Sequence, residues 1–355
     1  MKIILSIAVV VVILFGAGLF LLLQSEVEPG NVSVDGEYTP WPYIEIVEPT
    51  GFVNTDGEPV TISQYVGEKV ILLDIMTYSC INCQRTFPYV TGWYEKYQDD
   101  GLIVIGIHTP EFAFEREIEN VERAMQQHGI TFPVVLDNEY ATWRAYGNRF
   151  WPRKYLIDIH GNIVYDHIGE GAYEETETKI QELLLERAQV LGEDTSGLNT
   201  SLLSDTIENN RSQASSPETY FGAKRNKYLA NGEPHTLGVQ EYSVPEELEL
   251  NKLYLHGVWD ITEEAAASVT NASVFYKYKG KHVFIVAESD NGGRFEVWQD
   301  GELVSEQAGD SIENGSVYVG ASSLYKLIRN SEPEEHVLEL RVIEGNVSFF
   351  AFTFG

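Results

Sequence analysis

Cys80-Ile81-Asn82-Cys83 holds the only two cysteines in a chain of 355 residues. Two thiols separated by two residues can exchange with a disulfide. The first attacks, a mixed disulfide forms, and the second reaches back to displace the reduced product. The pair lies where a strongly apolar run, Val70-Ile-Leu-Leu-Asp-Ile-Met76, gives way to a helical pattern. A cysteine in the first turn of a helix meets unpaired backbone N–H groups and the positive end of the macrodipole, which stabilise a thiolate. Cys80 is therefore the expected nucleophile and Cys83 the resolving thiol, with their redox-active disulfide in place of any cofactor. A purely structural disulfide closing so short a loop would constrain little of the unfolded chain. A zinc site would need two further ligands, and the eight histidines contain no H-x3-H spacing.

Periodicity supplies the elements that must position this pair. Val70 to Met76 reads as a buried strand, Gln84 to Gln98 as an amphipathic helix and Leu102 to His108 as a second apolar strand. Phe112 to Gln127 reads as a charged helix with Val121 and Ala124 on one face. Phe132 to Leu136 adds a strand, Tyr155 to Asp158 and Ile163 to Asp166 form a hairpin around His160-Gly161-Asn162, and a helix from Tyr173 to Val190 closes the unit. Strands alternating with helices predict an α/β domain over residues 45–190, its mixed sheet covered on both faces. Residues 191–216 are small and polar, a linker. Beyond it the period becomes two, at Val274 to Lys279, Arg294 to Trp298, Val337 to Val342 and Phe350 to Phe354, with Gly-containing turns between. Residues 217–355 are expected to form an all-β sandwich of jelly-roll type.

Residues 3–23 are 21 positions without a charge, the length a helix needs to cross about 30 Å of hydrocarbon. No small-x-small cleavage site follows and no cysteine is placed to carry a lipid. Residues 1–24 are thus expected to be an uncleaved transmembrane anchor and 25–44 a spacer rich in Pro, Gly and acidic residues. Lys2 precedes the span while Glu26, Glu28 and Asp35 follow it, which places the soluble part outside the cytoplasm. A net charge of −30 argues against a nucleic-acid partner, because neutralising phosphates takes clustered Lys and Arg. N-x-S/T sequons stand at Asn31, Asn199, Asn210, Asn271, Asn314 and Asn346.

Around the cysteines, Asp74-Ile-Met-Thr-Tyr-Ser-Cys-Ile-Asn-Cys-Gln-Arg-Thr-Phe-Pro88 resembles a thioredoxin-fold active site. Asp74 lies six residues before Cys80, Pro88 five after Cys83, and Trp151-Pro152 precedes the strand Tyr155 to Asp158. In thioredoxin-like proteins those positions are a buried acid, a helix-kinking proline and a cis-proline loop facing the disulfide. The stretches Thr77 to Cys83, Ile107-His-Thr-Pro-Glu-Phe112, Tyr140-Ala-Thr-Trp143 and Tyr146-Gly-Asn-Arg-Phe-Trp-Pro152 are similar to the soluble part of the DipZ family, of TlpA-like type. The likeness runs from about residue 45 to the C-terminus. In that family the thioredoxin domain is followed by a carbohydrate-binding-like β-sandwich. Its members usually carry a multi-helix electron-transporting membrane domain. With one span here, the resemblance implies a separate membrane electron donor of the CcdA type.

The resemblance implies a thiol-disulfide oxidoreductase acting on disulfide-containing proteins, with Cys80, Cys83 and Asp74 as its catalytic set. A buried Asp74 would have a raised pKa and accept the Cys83 proton. An aromatic residue before proline favours a cis bond, which would present the Trp151 backbone to an extended substrate. Trp151 and Pro152 are therefore expected substrate contacts, with Tyr78 and Ser79 on the rim. The uncharged Ile81 and Asn82 favour a reducing over a strongly oxidising couple. Two other readings stand beside this one. A thiol peroxidase would use Thr77-x-x-Cys80 with Arg153 as the cation, although Leu73 stands where that motif has proline. A surface glycan-binding module would use Trp259 and Trp298 of the second half.

Overall fold

The computed structural model describes residues 39–203 and 216–355. The expected anchor at 1–24, most of the spacer and the centre of the linker lie outside the described residues. Among the described residues no helix is long and apolar enough to cross a membrane.

Seven strands build the first sheet: β1 (Trp41–Pro42), β2 (Gly51–Val53), β3 (Val70–Met76), β4 (Leu102–His108), β5 (Val134–Leu136), β6 (Arg153–Ile157) and β7 (Asn162–Ile168). Their order is β1-β7-β6-β3-β4-β5-β2. β3, β4 and β5 run parallel, while β6 and β7 form the expected antiparallel hairpin. Every residue of β3 and β4 is buried, as the unbroken apolar runs require of strands covered on both faces. Side chains alternate across the sheet. Val70, Leu72 and Met76 meet α1 (Ile81–Tyr97) and α4 (Tyr173–Leu191) in one core, and Ile71, Leu73 and Ile75 meet the core of the opposite face. Asp74 shares the α1 face with Leu72 and Met76. α1 is held there by Phe87, Val90, Trp93 and Tyr97, each worth on the order of 1.5–3 kcal/mol of burial.

Two expectations are corrected. Phe112 to Gln127 is not one helix: Ala113–Arg116 is a 3-10 turn, Glu117 is extended at φ −76 and ψ 119, and α2 spans only Ile118–Gln127. Phe112 and Phe114 both pack on Phe350, at 5.1 and 4.9 Å between ring centroids. Residues two apart on an α-helix face away from each other, so that double contact excludes a continuous helix. The strand at 132–136 begins only at Val134, after Pro133, which has no N–H to donate. A short helix α3 (Ala141–Ala145) and the edge strands β1 and β2 carry too few residues to show a period.

The second half is all-β, as expected, but its strands join in one 11-stranded sheet and not in the two separate sheets of the expected sandwich. Its strands are β8 (Thr219–Tyr220), β9 (Gly238–Tyr242), β10 (Leu253–Ile261), β11 (Ala266–Lys279), β12 (His282–Glu288) and β13 (Gly293–Gln299), followed by β14 (Glu302–Leu303), β15 (Ser316–Val319), β16 (Ser323–Arg329), β17 (Glu335–Glu344) and β18 (Ser348–Phe354). The main order is β14-β13-β17-β11-β18-β12-β16, with every named pair antiparallel. Trp259, Phe295, Phe349 and Phe352 fill its core.

The two halves share apolar side chains. Ala265, Phe284, Val286, Leu324, Phe350 and Ala351 belong to the same buried cluster as Tyr78, Ile81 and Cys83. At the edge of this contact the Arg225 guanidinium pairs with Glu111 at 2.7 Å and lies 3.6 Å over the Tyr220 ring. The Ala113 N–H donates to Glu264 at 2.8 Å. Phe350→Ala should therefore cost about 3 kcal/mol and speed amide exchange across residues 112–116, as read by urea unfolding and hydrogen-exchange mass spectrometry. Unchanged exchange there would show that the ring does not fasten the halves together.

Candidate active site

Cys80 caps α1 at its N-terminus with extended backbone, φ −76 and ψ 120, and its carbonyl accepts the Gln84 N–H at 3.0 Å. The helix begins three residues earlier than the periodicity suggested, so Ile81, Asn82 and Cys83 form its first turn. Both thiols are free. Cys80 is partly exposed, whereas Cys83, one turn on, is fully buried. Burial, together with hydrogen bonding to Cys80, pushes the Cys83 thiol well above the usual range. One thiol thus faces outward and the other is held protonated behind it.

Asp74 has no exposed surface. It stands opposite Lys154 in the β3–β6 register, and the Lys154 Nζ lies 3.5 Å from its carboxylate, itself almost fully buried. Desolvation raises the Asp74 pKa, and the lysine opposes that rise without cancelling it. The acid lies close enough to Cys83 to raise its pKa by repulsion. Lys154 was not singled out from the sequence. The available signal was a lysine leading into the apolar residues Tyr155 to Ile157 of the same sheet, but pairing it with Asp74 required the register.

A second buried acid was also missed. Glu115, fully enclosed, accepts the Thr77 hydroxyl at 2.5 Å, the Ser79 hydroxyl at 2.7 Å and the Ser79 N–H at 3.2 Å. Its other oxygen accepts the N–H groups of Glu111 and Phe112 at 2.5 and 3.0 Å. Burial pushes its carboxyl above the usual range, while these donors pull it back. All five partners donate, which is the pattern an ionised carboxylate satisfies. Because the Thr77 hydroxyl gives its proton to Glu115, it must accept from the His108 Nε2, 3.3 Å away, which assigns the Nε2–H tautomer to that buried ring. Glu115 thereby fixes Thr77 to Ser79, the segment that leads directly into Cys80.

The remaining expected residues fall as follows. The Trp151–Pro152 peptide bond is cis. Trp151 is half-buried, its ring tilted 39° to that of Trp143 with centroids 4.3 Å apart, and it donates its indole N–H to the Thr109 carbonyl at 3.0 Å. It packs against the same cluster as Cys80, whereas Pro152 is buried. Tyr78 is not on an open rim: it is 2 % exposed, stacked on His108, and its hydroxyl donates to the Ser322 carbonyl of the second half. Ser79 is buried too. For the peroxidase reading, the Thr77 hydroxyl is committed to Glu115, and Arg153 is held by Asp166 at 2.7 Å. For glycan stacking, Trp259 is sealed in the core and Trp298 is covered by the Arg341 guanidinium at 3.9 Å. Among the described residues no group of three or more His, Cys, Asp and Glu side chains is gathered to hold a metal ion.

Fold and site together define a thioredoxin-like domain joined to an all-β domain, and comparison with known proteins agrees. Residues 42–184 match the redoxin family, and residues 216–355 match the thioredoxin-like C-terminal domain family. The thiol-disulfide oxidoreductase ResA of Halalkalibacterium halodurans is 33% identical over 36% of this chain and 69% of its own length. The chain belongs to that family of thioredoxin-like thiol-disulfide oxidoreductases. More particularly, it is a homologue of Protein DipZ from Mycobacterium tuberculosis, with 36% identity over 86% of this chain, and it spans 42% of the length of that relative. A solved structure of a putative thiol:disulfide interchange protein DsbE from Chlorobium tepidum covers 41% of this chain and 96% of its own, at 24% identity and a TM-score of 0.36.

Two measurements follow from the buried network. Burial holds the His108 imidazole down to about 3, so between its ordinary value and 3 the unfolded chain binds a proton that the folded one refuses, and stability falls as pH falls. Between pH 6.5 and 5 that loss is about 1.6 kcal/mol. His108→Asn should be less acid-sensitive than the parent by that amount, measured by urea unfolding at the two pH values; equal slopes would mean that the ring titrates normally. Glu115→Gln turns an amide N–H₂ toward groups that are all donors and should cost about 2 kcal/mol at neutral pH. A variant as stable as the parent would show that the carboxylate is not what holds the segment.

Proposed function

We propose that the chain is a membrane-anchored reductase of protein disulfides working outside the cytoplasm through Cys80 and Cys83. The observation that carries this reading is the partly exposed Cys80 at a helix N-terminus, with Cys83 buried one turn behind it over a buried Asp74. The Cys80 thiolate attacks one sulfur of the substrate disulfide, forming a mixed disulfide as the other sulfur leaves and takes up a proton. Asp74, made more basic by desolvation, accepts the Cys83 proton. The Cys83 sulfur then attacks the Cys80 sulfur, the Cys80–Cys83 disulfide forms, and the second substrate sulfur leaves as a thiolate that takes the proton from Asp74. Two electrons and two protons pass to the substrate. Trp151 and the Pro152 turn are the surface against which an extended substrate segment would lie. No cofactor beyond the two thiols is required.

Return to the dithiol form needs an outside donor of two electrons. The apolar segment 3–23 supports placing that donor in the same membrane, as a separate protein of the CcdA type. The C-terminal domain is read as carbohydrate-binding-like, with cell-surface glycans as its candidate ligands, and the positions of Trp259 and Trp298 give that ligand no stacking platform.

Equilibration against thiol buffers, read by mass after alkylation, should give a reduction potential near thioredoxin's, about −270 mV; a value near −120 mV would make the protein an oxidant. Cys83→Ala should accumulate a mixed disulfide with substrate that Cys80→Ala does not form, seen as a mass shift removed by reductant. Asp74→Asn should slow resolution of that intermediate by about 10²-fold at neutral pH. Resolution at the parental rate would remove Asp74 from the mechanism.

A further inference from the structure

Beside the Cys80–Cys83 turn a cleft of about 230 Å³ opens between the two halves, the space of roughly eight water molecules. One wall is α1, through Ile81, the residue that follows the nucleophile, and Arg85 on the same face one turn later. The other wall belongs to the second half, through Phe284 of β12, Lys326 and Arg329 of β16, and Asp310.

The charge of this cleft is opposite to that of the molecule. The whole chain has 54 acidic against 24 basic residues, yet the lining offers Arg85, Lys326 and Arg329 against the single carboxylate of Asp310. Arg85 is already engaged, paired with Glu170 at 3.3 Å and lying 5.6 Å over the Phe284 ring. Lys326 and Arg329 share Asp310, at 3.2 and 3.9 Å, with side chains 48% and 66% exposed. An ammonium has three donors and a guanidinium five, so one shared carboxylate leaves most of them free for a ligand. His282, also in the cleft, is held below its usual pKa by burial and then by the fields of Arg85, Lys281 and Arg329, in accord with a positive interior.

We propose that this cleft is a substrate subsite receiving an acidic segment that flanks the disulfide of a protein substrate, with Lys326 and Arg329 as its specificity-determining residues. The assignment rests on the thiol-disulfide reading above and gives that reaction a substrate class. A molecule of net charge −30 repels acidic chains at long range. A cationic cleft one residue from the nucleophile selects them where the encounter becomes productive, with binding that weakens as salt screens it. The second half thereby belongs to the reaction centre, because two of the cleft's three cations come from β16.

The test uses the reduced full chain and three peptides that carry the same disulfide between acidic, uncharged polar or lysine flanks. Single-turnover reduction of the acidic peptide should be about 10-fold faster than that of the uncharged one at low salt, with the advantage lost at high salt. Lys326→Glu/Arg329→Glu should abolish or invert the ratio. Arg294→Glu, the same change of charge on β13 outside the cleft, should keep it. Equal rates for the three peptides, or a preference that survives the double substitution, would overturn the subsite. Fluorescence anisotropy with the acidic peptide, its cysteines alkylated, separates the two readings. Binding that depends on Lys326 and Arg329, combined with failure to reduce any peptide, would retain the cleft and reject the redox function.

Discussion

Two carboxylates held in an apolar interior beneath one partly exposed thiol are the constraint on which the rest of this molecule depends. An unpaired charge in such a place costs several kcal/mol, so each acid dictates its surroundings. Asp74 is answered by Lys154, which requires β6 to lie antiparallel beside β3 in one register. A slip of one residue would send both side chains to opposite faces. Glu115 is answered by five donors from Thr77, Ser79, Glu111 and Phe112. Meeting them breaks the chain into a 3-10 turn where helical periodicity would have continued, and fixes the segment that delivers Cys80 to the N-terminus of α1.

The second constraint is that the first half does not finish its own core. Phe112, Phe114, Tyr78 and Ile81 form one apolar cluster with Phe284, Leu324 and Phe350. The all-β half therefore covers the ground beside the thiols and takes up the tyrosine hydroxyl expected to greet a substrate. The Arg225, Glu111 and Tyr220 group at the edge combines an ion pair with a stacked guanidinium, an arrangement that the planar arginine head makes and lysine does not. The same contact leaves the cationic cleft, whose walls come from both halves, so the packing of the two domains also shapes the surface beside Cys80.

Physical chemistry explains which features could be read early. The central strands, α1, α4 and the β6–β7 hairpin were legible because their periods are local and their apolar runs long. Cys80 and Cys83 were conspicuous by their spacing and by their place at the joint of strand and helix. An acid in the middle of a buried strand was conspicuous at Asp74, and an aromatic residue before Pro152 signalled the cis bond that the fold contains. Val121 and Ala124 faced inward as their spacing required. Trp259 and Trp298 could not be assigned from sequence, since a tryptophan in a strand has the same neighbours along the chain whether it faces the core or a ligand.

By itself, then, the sequence determined the α/β half, the all-β half and a dithiol at the joint of strand and helix, because each is written in relations between residues a few positions apart. Only the tertiary structure decided the partners. Asp74 finds Lys154 across a register, Glu115 closes on a loop 36 to 38 residues away, and Tyr78 meets a carbonyl 244 residues on. Such pairings depend on strand order and on the docking of two domains, which local periodicity does not encode. The sign of the charge beside Cys80 was settled there as well, since it comes from helix and sheet residues that only folding brings together.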